Sequence, residues 1–188
     1  LIKDILDMSK LESGQIPLKR GEVSLANLIG ETLQAQLPLA TEKNLRLDSD
    51  ISAPLPPVWI DRRLIERVLQ NLVGNAIKFT PTGGSVRVTA KAVQNVANPE
   101  TGPSSQLHLT VSDDGPGIPP ELKSRLFQKF VTGRQEESGS GLGLAFCKLA
   151  VEAHGGQIWV ESETGQGATF NITFPAGKKP NSHNGKQR

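Results

Sequence analysis

The stretch from Asp61 to Lys78 (DRRLIERVLQNLVGNAIK) constrains this chain more than any other. Ile65, Val68, Leu69, Leu72 and Ala76 recur at helical spacing and define one apolar face. Asp61 is a good N-cap, and Pro81 with Gly83 and Gly84 stops the helix. A helix of this kind must bury one side against another layer. Its second stripe is unusual: Asn71, Asn75 and Lys78 lie at i, i+4 and i+7 on a shared face. Asparagine is disfavoured inside helices because its amide competes for backbone hydrogen bonds. Two in line, followed by a lysine, suggest a polar face turned toward a site. Amide oxygens are hard donors suited to Mg²⁺, and an ammonium suits phosphate. Taken alone, the stripe also describes a solvated helix face.

The flanking segments supply the other layer. Leu1, Ile2, Ile5, Leu6, Met8 and Leu11 predict a first helix that ends at Gly14 and Pro17. Residues 22–24 read as a short strand, and Ser24 caps a second helix that reaches Leu37, with Pro38 near its end. Alternation predicts a strand over 44–51, and Val58, Trp59 and Ile60 a short one. Residues 85–93 and 106–112 read as a hairpin around the polar loop 94–105. A short helix is predicted over 119–130, a polar Gly/Ser-rich loop over 131–141, and a helix over 142–154. Strands over 157–162 and 168–174 close the fold. The fold class is α+β: a two-layer sandwich of a mixed five-stranded sheet with about three helices on one face, preceded by a helical segment.

Charge narrows the function. The 188 residues carry a formal net charge of +2, which invites a nucleic-acid reading. Residues 177–188 hold Lys178, Lys179, Lys186 and Arg188 and no acid; without them, 17 basic side chains face 19 acidic ones. Aromatic residues are 4% with no Tyr, so platforms for stacking bases are scarce. The composition argues against a nucleic-acid partner. No segment approaches the roughly 20 apolar residues of a membrane span. Cys147 is the single cysteine, which excludes an internal disulfide framework and fits a reducing compartment.

Two glycine-rich elements follow the Asn/Asn/Lys helix. A strand runs into Asp113-Asp114-Gly115-Pro116-Gly117, where glycines let backbone pass close to a ligand. A carboxylate there can accept from a purine amino group; alone, the motif is also a plain strand-to-helix turn. Residues 139–144 (GSGLGL) open a helix, and glycine-rich backbone at a helix N-terminus favours anions. The polar loop before these glycines argues against a dinucleotide fingerprint, which needs a buried strand there.

In order, these elements resemble the ATP-binding catalytic domain of sensor histidine kinases, in a superfamily with gyrase-type ATPases. NLVGNAIKFT (71–80) is similar to the N box and SDDGPGIP (112–119) to the first glycine box. LFQKF (126–130) resembles the F box and GSGLGLAF (139–146) the second glycine box. HGGQIWVES (154–162) and GQGATFNITFP (165–175) resemble the closing strands. LIKDILDMSKLESGQ (1–15) resembles the end of a dimerisation and phosphoacceptor helix. The resemblance implies three regions: the end of that helix over 1–17, the catalytic domain over 18–176, and a disordered basic tail over 177–188. It implies a kinase that binds Mg²⁺-ATP and phosphorylates a histidine upstream of Leu1. It also implies a homodimer through an upstream helical domain and relay to a response-regulator receiver domain. The domain would be cytoplasmic, with membrane anchoring of a longer parent left open.

By the same resemblance, Asn75 coordinates Mg²⁺ with Asn71 in support, and Lys78 contacts phosphate. Phe79 stands where the family usually has an aromatic ring against the adenine. Asp113 accepts from the adenine amino group, with Gly115, Gly117 and Ile118 shaping that pocket. Phe127 and Phe130 anchor a lid over 131–141 that is mobile without ligand. Gly139, Gly141 and Gly143 bring backbone amides to the phosphates, with Leu142 and Leu144 in the same motif. Two departures stand out. Thr132 replaces a common Arg, which leaves Lys129 or Arg134 to supply charge, and Ala168 replaces a common hydroxyl residue. Hydrolytic relatives usually carry Glu near position 71; Asn71 cannot act as a base. His108, His154 and His183 lack the context of a phosphoacceptor, and Cys147 reads as a small buried residue.

Overall fold

The computed structural model describes residues 2–14, 17–52, 54–95, 104–132 and 140–176. Twelve elements follow in order. They are α1 (Ile2–Glu12), β1 (Gly21–Val23), α2 (Leu25–Glu42), β2 (Arg46–Ile51), β3 (Val58–Ile60), α3 (Arg62–Phe79), β4 (Ser85–Asn95), β5 (Ser104–Asp113), α4 (Pro120–Lys123), α5 (Gly143–Ala153), β6 (Gln157–Ser162) and β7 (Ala168–Pro175). Five strands form one sheet in the order β2-β4-β5-β7-β6. The β2–β4 pair is parallel and the other three are antiparallel, so the sheet is mixed as predicted. The strands β1 and β3 pair separately as an antiparallel ribbon.

Strand alternation decides which face is buried. Val86, Val88 and Ala90 on β4, Leu107, Leu109 and Val111 on β5, and Phe170, Ile172 and Phe174 on β7 all face the core. Against them lie α2, α3 and α5, with Ile65, Val68, Leu69, Leu72, Val73, Ala76 and Ile77 making the buried face of α3. The opposite face is polar. Thr89 and Thr110 hydroxyls meet at 2.7 Å, Ser112 and Thr169 at 3.0 Å, and His108 stacks on Trp159 with ring centroids 5.5 Å apart. Among the described residues no helix is long and apolar enough to cross a membrane.

The hairpin strands run two residues further into the predicted loop at each side, to Asn95 and from Ser104, and two helix boundaries move more. Pro38 lies inside α2, which continues to Glu42. Proline forfeits an N–H and crowds the preceding turn, a cost this helix carries on its exposed side. The predicted helix over 119–130 shrinks to Pro120–Lys123. Beyond it the backbone tightens into i→i−3 turns, with Arg125 N–H on Leu122 O at 3.0 Å and Gln128 N–H on Arg125 O at 2.9 Å. Phe130 then turns to φ 63°. The first helix packs on α5 with Met8 and Leu11 buried, while Ile5 and Leu6 stay exposed. The basic tail over 177–188 lies outside the described residues.

One polar node ties the ribbon to two helices. Asp61 caps α3 by accepting from Arg63 N–H and Leu64 N–H, and its second oxygen accepts from Lys19 N–H at 2.9 Å. The Asp61 N–H donates to His154 Nε2 at 2.9 Å, and His154 Nδ1–H donates to Ala150 O at 2.6 Å. Arg20 adds a bond to Ala153 O at 2.6 Å. A ring that accepts at one nitrogen and donates at the other is neutral. Burial pushes the His154 pKa below 6.5, and the nearby Arg20 adds to that, against the Ala150 bond and Asp61.

The sign follows. Above pH 6.5 His154 is neutral in both folded and unfolded chains, and the node's stability is fully present. As pH falls the unfolded chain takes the proton first, so stability declines through 6.5 toward the lower folded value. Urea denaturation from about pH 8 to about pH 5 should show this decline, and His154→Gln should flatten that part of the slope. Asp61→Ala should lose at least ~2 kcal/mol at neutral pH in the same assay, because a cap and a long-range bond go together.

Candidate nucleotide-binding site

The polar stripe of α3 forms one wall of a cavity of about 780 Å³. That volume is in the range of small-molecule sites. Asn71, Asn75, Lys78 and Phe79 line it from α3. Asp113, Gly117 and Ile118 line it from the end of β5 and the turn that follows. Gly141, Gly143 and Leu144 complete it from the start of α5. Three motifs scattered over more than seventy positions thus converge, because α3 and α5 pack side by side, α3 over β5 and α5 over β6.

Each wall has a local cause. Gly117 has φ +73°, and a Cβ there would collide with the Glu163 carbonyl, so only glycine lets the turn lie against the β6–β7 hairpin. Ile118 N–H donates to Ser162 Oγ at 2.9 Å and pins the same turn. Asp113 accepts from Gly115 N–H at 2.8 Å and from the Ala168 backbone. Burial nevertheless raises its pKa above 3.8, with the charge of Asp114 adding to the rise and those two bonds opposing it. A carboxylate offers about four acceptor positions, so two backbone bonds leave it able to accept from a ligand.

At the start of α5 the N-cap residue Leu142 makes no side-chain capping bond among the described residues. Gly143 and Leu144 of this first turn line the cavity, and a helix N-terminus there would favour an anion. Asn71 approaches closely here: a Cβ on Gly143 would lie 3.4 Å from Asn71 Oδ1. The Asn71 side chain also hydrogen-bonds the Cys147 thiol, which burial pushes up to about 12. Cys147 is fully buried and stays a neutral packing residue, as its sequence context suggests. Lys78 Nζ stands 4.9 Å from the centre of the Phe79 ring.

Other predicted residues fall elsewhere. Gly115 and Leu142 are buried behind the wall and do not line the cavity. Lys129 is turned away, ion-paired with Glu12 of α1 at 2.7 Å. Phe127 meets Phe170 edge-on at 6.4 Å, beside the cavity floor, whereas Phe130 is 65% exposed. Gly139 and Arg134, with most of the predicted lid, lie outside the described residues. Arg125 and Glu121 line the cavity, and the sequence patterns did not single them out. The only signal was position: Arg125 directly precedes Leu126-Phe127.

This fold and site define an ATP-binding domain of the α+β type. Residues 60–178 match the family described as histidine kinase-, DNA gyrase B-, and HSP90-like ATPase, and the chain belongs to that family. It is 37% identical over 177 residues to the adaptive-response sensory kinase SasA of Synechococcus sp. (strain JA-3-3Ab), covering 93% of this chain and 45% of that protein. It is 32% identical to the alginate biosynthesis sensor protein KinB of Pseudomonas aeruginosa, covering 93% of this chain and 28% of that one. The chain thus spans less than half the length of these curated relatives. Among solved structures, the catalytic domain of histidine kinase ThkA superposes with TM-score 0.72 at 30% identity, covering 84% of this chain and 96% of that one. Full-length ShkA, solved in complex with AMPPNP, superposes with TM-score 0.80 at 31% identity, covering 95% of this chain and 35% of that one. The chain is the catalytic ATP-binding domain of a two-component sensor histidine kinase.

Because a Cβ at Gly117 meets backbone on two strands' hairpin, Gly117→Ala should destabilise the fold by ~2 kcal/mol. The urea midpoint at neutral pH measures this.

Proposed function

We propose that this domain holds Mg²⁺-ATP in the cavity and presents its γ-phosphate to a histidine on an upstream helical domain. The phosphoryl group would pass on to an aspartate of a response-regulator receiver domain. The observation that carries this reading is the convergence of Asn75, Lys78 and Asp113 on one cavity. Asp113 accepts from the adenine amino group. Ile118 and Phe79 supply apolar contact on that side. The amides at the start of α5, Lys78 and Arg125 offer positive potential to the phosphates.

The donor set also fits Mg²⁺. This ion keeps several waters and binds through one or two protein oxygens plus substrate phosphates. Asn75, supported by Asn71, would hold it, and the ion would neutralise charge on the transferring phosphoryl group. One or two amide oxygens leave most of the coordination to water and phosphate, so the ion would arrive with the nucleotide. Asn71 offers an amide rather than a base. That suits an imidazole nucleophile, which needs alignment and charge neutralisation more than proton removal. A dimer through the upstream helices, and a cytoplasmic location with access to ATP, belong to the same reading.

Titration calorimetry tests the site. Asn75→Ala should weaken Mg²⁺-dependent ATP binding by about a hundredfold, roughly 2.7 kcal/mol; unchanged binding would sink the assignment. The isolated chain should incorporate no labelled γ-phosphate into itself. Affinity should also fall on acidification. Asp113 accepts more strongly when ionised, and its raised pKa means this loss begins at higher pH than for an ordinary carboxylate. Asp113→Ala should bind weakly at every pH.

A further inference from the structure

The end of α3 is held by a side chain from outside the recognised motifs. Lys43 Nζ donates to Ile77 O, Lys78 O and Thr80 O, each at 2.8 Å. An ammonium has three protons, and all three are used. The last carbonyls of a helix have no partner within it, and its C-terminus carries partial negative charge. Thr80 N–H and Oγ1 close on Ala76 O at 3.0 and 2.6 Å, and Lys43 takes the carbonyls that follow. Pro81 comes next and has no N–H to contribute.

Lys43 is itself pre-placed. It is the C-cap of α2, and Asn44 follows with φ 54°. Leu45 N–H bonds Ala40 O at 2.8 Å and Asn44 N–H bonds Thr41 O at 2.9 Å, the two bonds of a Schellman motif. Leu45 and Ala40 are buried, which anchors the turn. The ammonium thus joins two helix ends at the point where α3 delivers Lys78 and Phe79 to the cavity.

We propose that Lys43 is a positioning residue for nucleotide binding: its clamp on the Ile77, Lys78 and Thr80 carbonyls aims the Lys78 and Phe79 side chains into the cavity. The clamp also neutralises the negative helix end beside a polyanionic ligand. This assignment rests on the nucleotide-site reading above. Without the clamp, the last turn of α3 frays and Lys78 no longer starts from one position.

Calorimetric titration of the full chain with ATP and Mg²⁺ tests this, on protein shown to be folded by circular dichroism. Lys43→Met should weaken binding about tenfold, as should Lys78→Met. Lys43→Arg, which can still donate to two carbonyls, should stay within about threefold of the parent chain. The decisive readout is the pair: if Lys43 acts through Lys78, Lys43→Met should add less than about twofold in the Lys78→Met background. A purely structural role would make the two losses multiply, and that result overturns the proposal. So does parental affinity in Lys43→Met while Lys78→Met and Asn75→Ala lose binding. If all three variants bind as the parent does, the nucleotide-site reading itself fails. Should Lys43→Met not fold, Lys43→Gln, which keeps two donor protons without charge, takes its place with the same expectations.

Discussion

The rest of the structure depends on the neutral His154 imidazole between Asp61 N–H and Ala150 O. It joins the N-cap of one site-bearing helix to the last turn of the other. The two halves of the candidate site sit at the far ends of those helices: Asn75 and Lys78 late in α3, and the first-turn amides at the start of α5. A node at the base therefore sets the register of residues about three turns away along α5 and about four or more along α3. Further along the seam, Arg67 lies 4.0 Å over the Phe146 ring, and the Cys147 thiol points at Val68 O at 3.8 Å. The last contact before the cavity is Asn71 against Gly143. Each step is polar or cation–π inside an otherwise apolar interface. Such contacts specify one sliding position where leucines would tolerate several.

Electrostatics in this domain are local. Outside its C-terminal segment the chain is slightly acidic, yet its cavity suits a polyanion. Oriented amides, Lys78 and Arg125 act over a few ångströms, whereas exposed charges elsewhere are screened within about 8–10 Å. Surface pairs such as Arg87–Asp48 illustrate the difference. The Arg87 hydrogen bond holds the Asp48 carboxyl below its usual value, but both groups are solvated and the pair adds little stability. Asp113 is the opposite case: burial raises its pKa, which makes its charge costly and would make a hydrogen bond it accepted worth more.

Much of this was legible in the chain. The alternation in β4, β5 and β7 and the apolar face of α3 carried the two-layer architecture, because burial against one side imposes a period on sequence. Asn71, Asn75, Lys78, Asp113, Gly117 and Gly143 were also visible, since amides, carboxylates and glycines are out of place where they stand unless a site uses them. Boundaries were less legible. Pro38 does not end α2, because packing of Leu28, Ile29 and Ala40 outweighs one lost hydrogen bond. The segment after Pro120 has helical composition but turns tightly through i→i−3 bonds, which seat Leu126 and Phe127 against the core.

Sequence alone determined the kinds of surface this chain must build: three helix faces and one sheet face to bury, and three polar or glycine-rich patches to leave open. Those follow from side-chain chemistry and backbone freedom, which are local. Tertiary structure alone decided which charges reach the cavity wall. Lys129, plausible by motif, is spent on Glu12, while Arg125, inconspicuous in sequence, lines the wall. Lys43 is thirty-five positions from Lys78 and belongs to no motif, yet its ammonium holds the turn that presents that residue. A long cationic side chain can reach any acceptor within its span, and only the packing of α2 beside α3 determines which acceptors those are.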